Sequence, residues 1–260
     1  YELPKAVLIH LFIHLIPIKK ALAQYITVGN STALRTKLTS DDNLALSLTH
    51  FYYGDYTQFN ELIEDRCESD TWRLGTELRL MYAYGLIKCE RFDAAENIVN
   101  NTLNVESVGL GDLVCCYQLL GLGYYDKGRY RKSLHTLKTA ERHMKSLLLN
   151  VSHPAAAAIY GLMGNNCMKL GENDYALRCY EKSLNMQLNI YGHTDHPDIA
   201  SSYNNMAGVY YSQGHYSKAL QYHEKSLNTR LAVYQTTSHP DVADSRSEEH
   251  TSELQSRPHI

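Results

Sequence analysis

In the C-terminal half of the chain, apolar side chains return every three and four positions. Tyr203, Met206, Ala207 and Tyr210 stand at i, i+3, i+4 and i+7, one face of an amphipathic helix. Pro197 suits the first turn of that helix, where its missing N–H costs nothing, and Asp198 favours the positive end of the dipole. Ser212-Gln213-Gly214-His215 breaks the pattern, with Gly214 able to take a positive φ. A second stripe through Ala219, Leu220, His223, Leu227 and Leu231 predicts a second helix from near Ser217 to about Tyr234. Such a pair cannot bury its own apolar stripe, so it must stack on others like it.

The chain supplies those others. His-Pro occurs at 153–154, 196–197 and 239–240, an interval of 43 both times. At the same offset Tyr160 aligns with Tyr203, Met163 with Met206, Gly171 with Gly214 and Ala176 with Ala219. Glu181-Lys182-Ser183-Leu184-Asn185 returns as Glu224-Lys225-Ser226-Leu227-Asn228. One further step back places Tyr117, Leu120, Gly121, Tyr124, Gly128, Tyr130 and Ser133 on the template. A weaker unit holds Tyr82, Ala83, Leu86, Phe92 and Ala95, and a weaker one still lies around Tyr53, Gly54, Tyr56 and Phe59. Small residues at Gly121, Gly164 and Ala207, and at Ser133, Ala176 and Ala219, let neighbouring helices approach closely. The expected organisation is a helical segment over 1–72 with degenerate repeats, then an array over 73–245. Its units cover about 76–110, 111–152, 153–195 and 196–238, with a truncated unit from 239.

The large–large–small–aromatic first helix and the glycine turn resemble the tetratricopeptide repeat. The length of 43 and the stretch HPDIASSYNNMAGVYYSQGHYSKALQYHEKSLNTRLAVYQ are similar to the repeats of kinesin light chains and related scaffolds. The resemblance is strong over 110–244, weak over 73–110 and absent before that. It implies an all-α, right-handed solenoid of antiparallel helix pairs.

The two ends read differently. Ala6 to Ile18 is an apolar run of 13, too short to span a bilayer. Lys5 before it and Ala21-Leu22-Ala23 after it give it marks of a secretory leader. Lys19, Lys20 and two internal His argue against that, and the run reads as a buried helix. The rest of 1–72 reads as helices with a break at Val28-Gly29-Asn30-Ser31 and a loop around Cys67 to Asp70. The chain starts with Tyr1 rather than Met, and a fragment is the expectation. At the other end RSEEHTSELQS, Arg246 to Ser256, resembles the in-frame translation of a short-read sequencing adapter. Residues 246–260 are therefore expected to be an artefactual or disordered tail, with the repeat cut near Ser245.

Composition narrows the function classes. The 260 residues are 44% hydrophobic and 20% charged, enough to bury a core. The net charge of −3 argues against a protein built to grip nucleic acid. Tyrosine dominates the aromatics, 21 against 4 Phe and 1 Trp, which suits helices half exposed on a groove. Six cysteines without a CxxC pair read as reduced thiols of a cytoplasmic protein.

Catalytic constellations are not legible. His193-x-x-His196 invites a metal, but the equivalent turns before Pro154 and Pro240 lack the second His. Gly121-x-Gly123 and Gly128 lack the Lys-Ser/Thr of a phosphate loop and fall on repeat positions. Cys115-Cys116 is read as packing rather than as a reactive thiol. No enzyme activity, cofactor or metal is expected.

The first helices of stacked pairs line one side of such a solenoid, and their non-packing residues face the groove. By the template these are Gln118, Tyr125, Asn165, Lys169, Ser201, Asn204, Asn205 and Tyr211. Amides donate and accept, so they can pair with an extended peptide backbone whatever its sequence. Asn204-Asn205 matches the family's groove Asn-Asn pair, whereas Gly161-Leu162 interrupts the ladder one unit earlier. The resemblance implies a non-enzymatic scaffold that binds protein or peptide partners, a kinesin-light-chain-like cargo or complex adaptor. The alternative is an accessory repeat region of a larger signalling ATPase, GTPase or transferase.

Overall fold

The computed structural model describes residues 47, 50, 51, 53–67, 75–104, 108–148, 152–235 and 240–256. The apolar run at Ala6–Ile18 and the break at Val28–Ser31 lie outside them, as do Glu68 to Asp70 of the expected loop. Among the described residues the regular structure is helical: α1 (Tyr56–Cys67), α2 (Thr76–Lys88), α3 (Phe92–Leu103), α4 (Leu110–Asp126), α5 (Tyr130–Leu148), α6 (Pro154–Lys169), α7 (Asn173–Tyr191), α8 (Pro197–Ser212), α9 (Tyr216–Tyr234) and α10 (Pro240–Ser256). The chain divides into two compact units at Gly123–Tyr124, within α4.

The first unit is built on aromatic packing. Phe51 meets the ring of Phe59 edge-on at 4.9 Å and that of Tyr84 at 5.8 Å. Ile63, Leu80, Met81 and Leu86 close the core around them. Glu64 on α1 receives hydrogen bonds from Tyr82 Oη of α2 and Arg91 Nη1, each at 2.7 Å. Burial works to raise the Glu64 pKa, and those two bonds outweigh it and lower the pKa. Gly123 is helical, and the Phe92 ring fills the place a Cβ would take. That glycine belongs to packing, not to a phosphate loop.

In the second unit, helices pair and stack in chain order: α5 with α6, α6 with α7, α7 with α8, α8 with α9 and α9 with α10. This is an all-α repeat solenoid. Gly171 and Gly214 turn each pair with φ of +76°. Ala176 and Ala219, at equivalent places on the second helices, are fully buried where helices touch. Ser183 Oγ donates to the Ala157 carbonyl at 2.7 Å, and Ser226 Oγ to that of Ala200 at 2.9 Å. The same bond thus recurs one repeat later and fixes each second helix against its first.

Helix α10 continues through Arg246–Ser256, so the stretch expected to be artefactual or disordered is helical here. Nothing in it breaks a helix: it holds no Pro or Gly, and Pro240 and Asp241 start the first turn well. Its repeat register stops at Ser245. One repeat after Tyr203, Met206, Ala207 and Tyr210 stand Arg246, Glu249, His250 and Glu253. Buried Glu248 Oε2 and Ser252 Oγ find no hydrogen-bond partner, which a segment shaped to pack there would supply.

Candidate functional site

The recurring His-Pro is a helix start. His153 Nδ1 accepts from the Ala155 N–H at 3.1 Å, and His196 Nδ1 from that of Asp198 at 3.2 Å. Each thus satisfies one of the orphan donors of the first turn of α6 or α8. The Tyr191 ring stacks on His196 with centroids 3.5 Å apart, and Tyr191 Oη donates to Asp198 at 2.8 Å. Burial lowers the His196 pKa, keeping Nδ1 free to accept. Tyr234 repeats the bond to Asp241 at 2.8 Å. These contacts set the start of each first helix, and with it which residues face outward.

The faces of α6 and α8 are adjacent: a Cβ on Gly208 would lie 3.5 Å from Met168 Cε. On α8, Ser201, Asn204, Asn205 and Tyr211 are half-buried. Tyr211 packs edge-on against Tyr216 at 5.3 Å. On α6, Lys169 is exposed, whereas Asn165 is 5% exposed and accepts from Tyr180 Oη at 2.6 Å. Tyr125, half-buried at the end of α4, contacts the ring of Tyr130 at 5.5 Å. Gln118 belongs to the first unit, is buried, and its Oε1 has no hydrogen-bond partner. Of the eight residues expected on an open groove, Gln118 and Asn165 are thus inside the protein. The template missed that a second-helix ring can reach through to a first-helix amide.

Tyr180 and His223 are those rings, and they occupy equivalent positions of successive repeats. His223 Nδ1 lies 3.0 Å from Asn204 Oδ1. Burial lowers the His223 pKa to about 4, so the ring is neutral at neutral pH. The sequence did carry a signal for them. Both are large side chains with a polar tip on an otherwise apolar stripe, and each faces a first helix bearing Asn.

Burial, with Asp112 nearby, pushes the Cys115 thiol up to about 11, and burial beside Cys115 pushes Cys116 up to about 12. Both are therefore protonated and poor nucleophiles at neutral pH. His193 is exposed while His196 is committed to its cap, and no group of three His, Cys, Asp or Glu among the described residues could hold a metal ion. No described helix is long and apolar enough to cross a membrane.

Residues 155–232, which span the helix pairs α6–α7 and α8–α9 except for their outermost residues, match the family model of the tetratricopeptide repeat. This stretch of the chain carries tetratricopeptide repeats. Solved structures agree on the fold. A thermophilic TPR protein of Thermus thermophilus superposes with a TM-score of 0.57 at 21% identity, covering 83% of this chain and 100% of that one. A Podosopora anserina protein described as a kinesin light chain with nearly identical TPR-like repeats gives 0.58 at 15% identity, covering 75% and 95%. A Signal Transduction ATPase with Numerous Domains protein of Pyrococcus horikoshii, which carries a tetratricopeptide repeat sensor, gives 0.68 at 17% identity, covering 85% of this chain and 34% of that one. No curated protein matches the chain. In the terms of this family, α6 and α8 are the first helices of consecutive tetratricopeptide repeats, and the polar side of α8 is the candidate site.

Proposed function

We propose that this protein is a non-enzymatic, cytoplasmic interaction scaffold of the kinesin-light-chain-like kind, and that the polar side of α8 binds extended peptide segments of partner proteins. The tetratricopeptide fold itself is that of a protein–protein interaction scaffold. The observation that carries the reading is the run Ser201, Asn204, Asn205 and Tyr211 along α8. These side chains are half-buried in a helix whose apolar residues, Ile199, Met206, Ala207 and Val209, are already used against neighbouring helices. Amides and a tyrosine left on such a face supply hydrogen bonds and flat contact area at once.

The test is selection of peptides of about twelve residues from a random display library on the whole chain, followed by affinity measurement. Asn205→Ala together with Tyr211→Ala is expected to weaken binding about tenfold or more while leaving thermal unfolding nearly unchanged. Undiminished binding by the double variant refutes the assignment of the face, and failure to retain any peptide refutes the function.

A further inference from the structure

We infer that His223 is a positioning residue for the peptide face: it holds the oxygen of Asn204, so that Asn204 offers its Nδ2–H donors to the carbonyl oxygens of an extended peptide. The inference rests on the peptide-binding reading above and specifies its chemistry.

The geometry is local. His223 is 5% exposed on α9 and Asn204 is half-buried on α8, with Nδ1 and Oδ1 3.0 Å apart. An amide oxygen only accepts, so this bond requires the hydrogen on Nδ1. An amide is planar with its oxygen and its NH2 on opposite edges. Fixing the oxygen toward α9 therefore turns the NH2 away from that helix. Left unheld, a surface Asn presents either edge and selects for neither donor nor acceptor. Held in this way, it presents two donors.

The preceding repeat supports the arrangement by exchanging its parts. Tyr180 stands where His223 does, and Asn165 stands where Gly208 does, while Gly161 stands where Asn204 does. The amide and the glycine have traded places one helical turn apart. The longer tyrosine still reaches the displaced amide and donates to Asn165 Oδ1 at 2.6 Å. Two different rings thus make one kind of bond, always to the amide oxygen. The depressed pKa of His223 keeps the ring neutral, so one of its nitrogens carries the only ring hydrogen and the tautomer sets which group of Asn204 it meets.

Two measurements on the whole chain decide the matter. Nitrogen-15 shifts of the His223 ring are expected to show the Nδ1–H tautomer, still neutral at pH 5. The Nε2–H tautomer would mean that the amide is turned the other way, and would overturn the inference. Affinity for a peptide selected on the wild-type chain is expected to fall about tenfold in His223→Phe, which keeps a ring but loses the donor. His223→Gln, which can donate again, is expected to recover part of that loss. His223→Phe binding as tightly as wild type would overturn the inference. If the wild-type chain retains no peptide, the functional proposal fails, and the ring tautomer still decides how Asn204 is held.

Discussion

The ring of Tyr180 fills the space in which a Cβ on Gly164 would sit, with ring carbons only 2.6 to 2.9 Å from that point. One repeat later the corresponding pair is Ala207 and His223, a larger residue facing a smaller ring. Gly164→Ala is therefore expected to destabilise the array by about 1–3 kcal/mol through overpacking. Tyr180→His in the same chain copies the next repeat and is expected to restore part of that loss. A double-mutant cycle from urea unfolding measures the coupling, and strict additivity would show that the contact is not what excludes a larger residue at 164.

Acid should weaken the fold through His223. Its pKa is about 4 in the folded protein, because burial and Arg230 disfavour its charge, whereas an unfolded histidine titrates near 6.5. Between these values the unfolded chain binds a proton that the folded chain does not. Stability is therefore complete above about pH 6.5, falls as pH drops to about 4, and loses on the order of 3 kcal/mol across the window from this residue. His223→Gln should flatten that slope in urea titrations compared between pH 7 and pH 4.5. An unchanged slope would mean that His223 titrates normally in the fold.

The serines that bond the facing helix make a repeated, separable contribution. Ser183→Ala and Ser226→Ala each remove a buried donor from a carbonyl on the first helix, of Ala157 and Ala200 respectively. Each is expected to cost about 1 kcal/mol. The sites lie one repeat apart without a shared partner, so the double variant should show the sum. Chemical denaturation of the three variants checks both points.

Backbone conformation gives a pair of opposite expectations. Gly171 and Gly214 turn at φ of +76°, and a Cβ at either meets open space, so Gly171→Ala or Gly214→Ala tests the left-handed conformation alone. About 1 kcal/mol of destabilisation is expected for each. Glu90 holds φ of +61° at the turn between α2 and α3, and Glu90→Gly should raise stability or leave it unchanged. Thermal melts of the three variants give the signs directly.

The sequence made the helix pairs readable because the constraints that define them are local and recur. A proline at the first helical turn, a glycine at the turn between helices and an apolar face such as Tyr203, Met206, Ala207 and Tyr210 each act within one unit. The His-Pro interval was legible, but its purpose was not. That His196 caps α8 and stacks on Tyr191 depends on a ring five residues back folding onto it, and periodicity does not report this. The polar face was legible only by template. Whether an amide such as Asn165 or Gln118 stays in solvent depends on the side chains that reach it from other helices. For Asn165 that side chain is Tyr180, 15 residues on. The sequence at 246–253 likewise ended the repeat pattern without ending the helix, because helix propensity and packing register are separate demands.

The bonds that tie helix to helix in the second unit join residues close in the chain. Tyr191 to Asp198 spans 7 positions, Ser226 to Ala200 spans 26 and Gln213 to Asp174 spans 39. Such short loops close at little entropic cost, which is the condition for rapid folding. A nucleus formed at any one helix pair can grow by adding its neighbour, so the chain can begin to fold on the ribosome before its last repeat has been made.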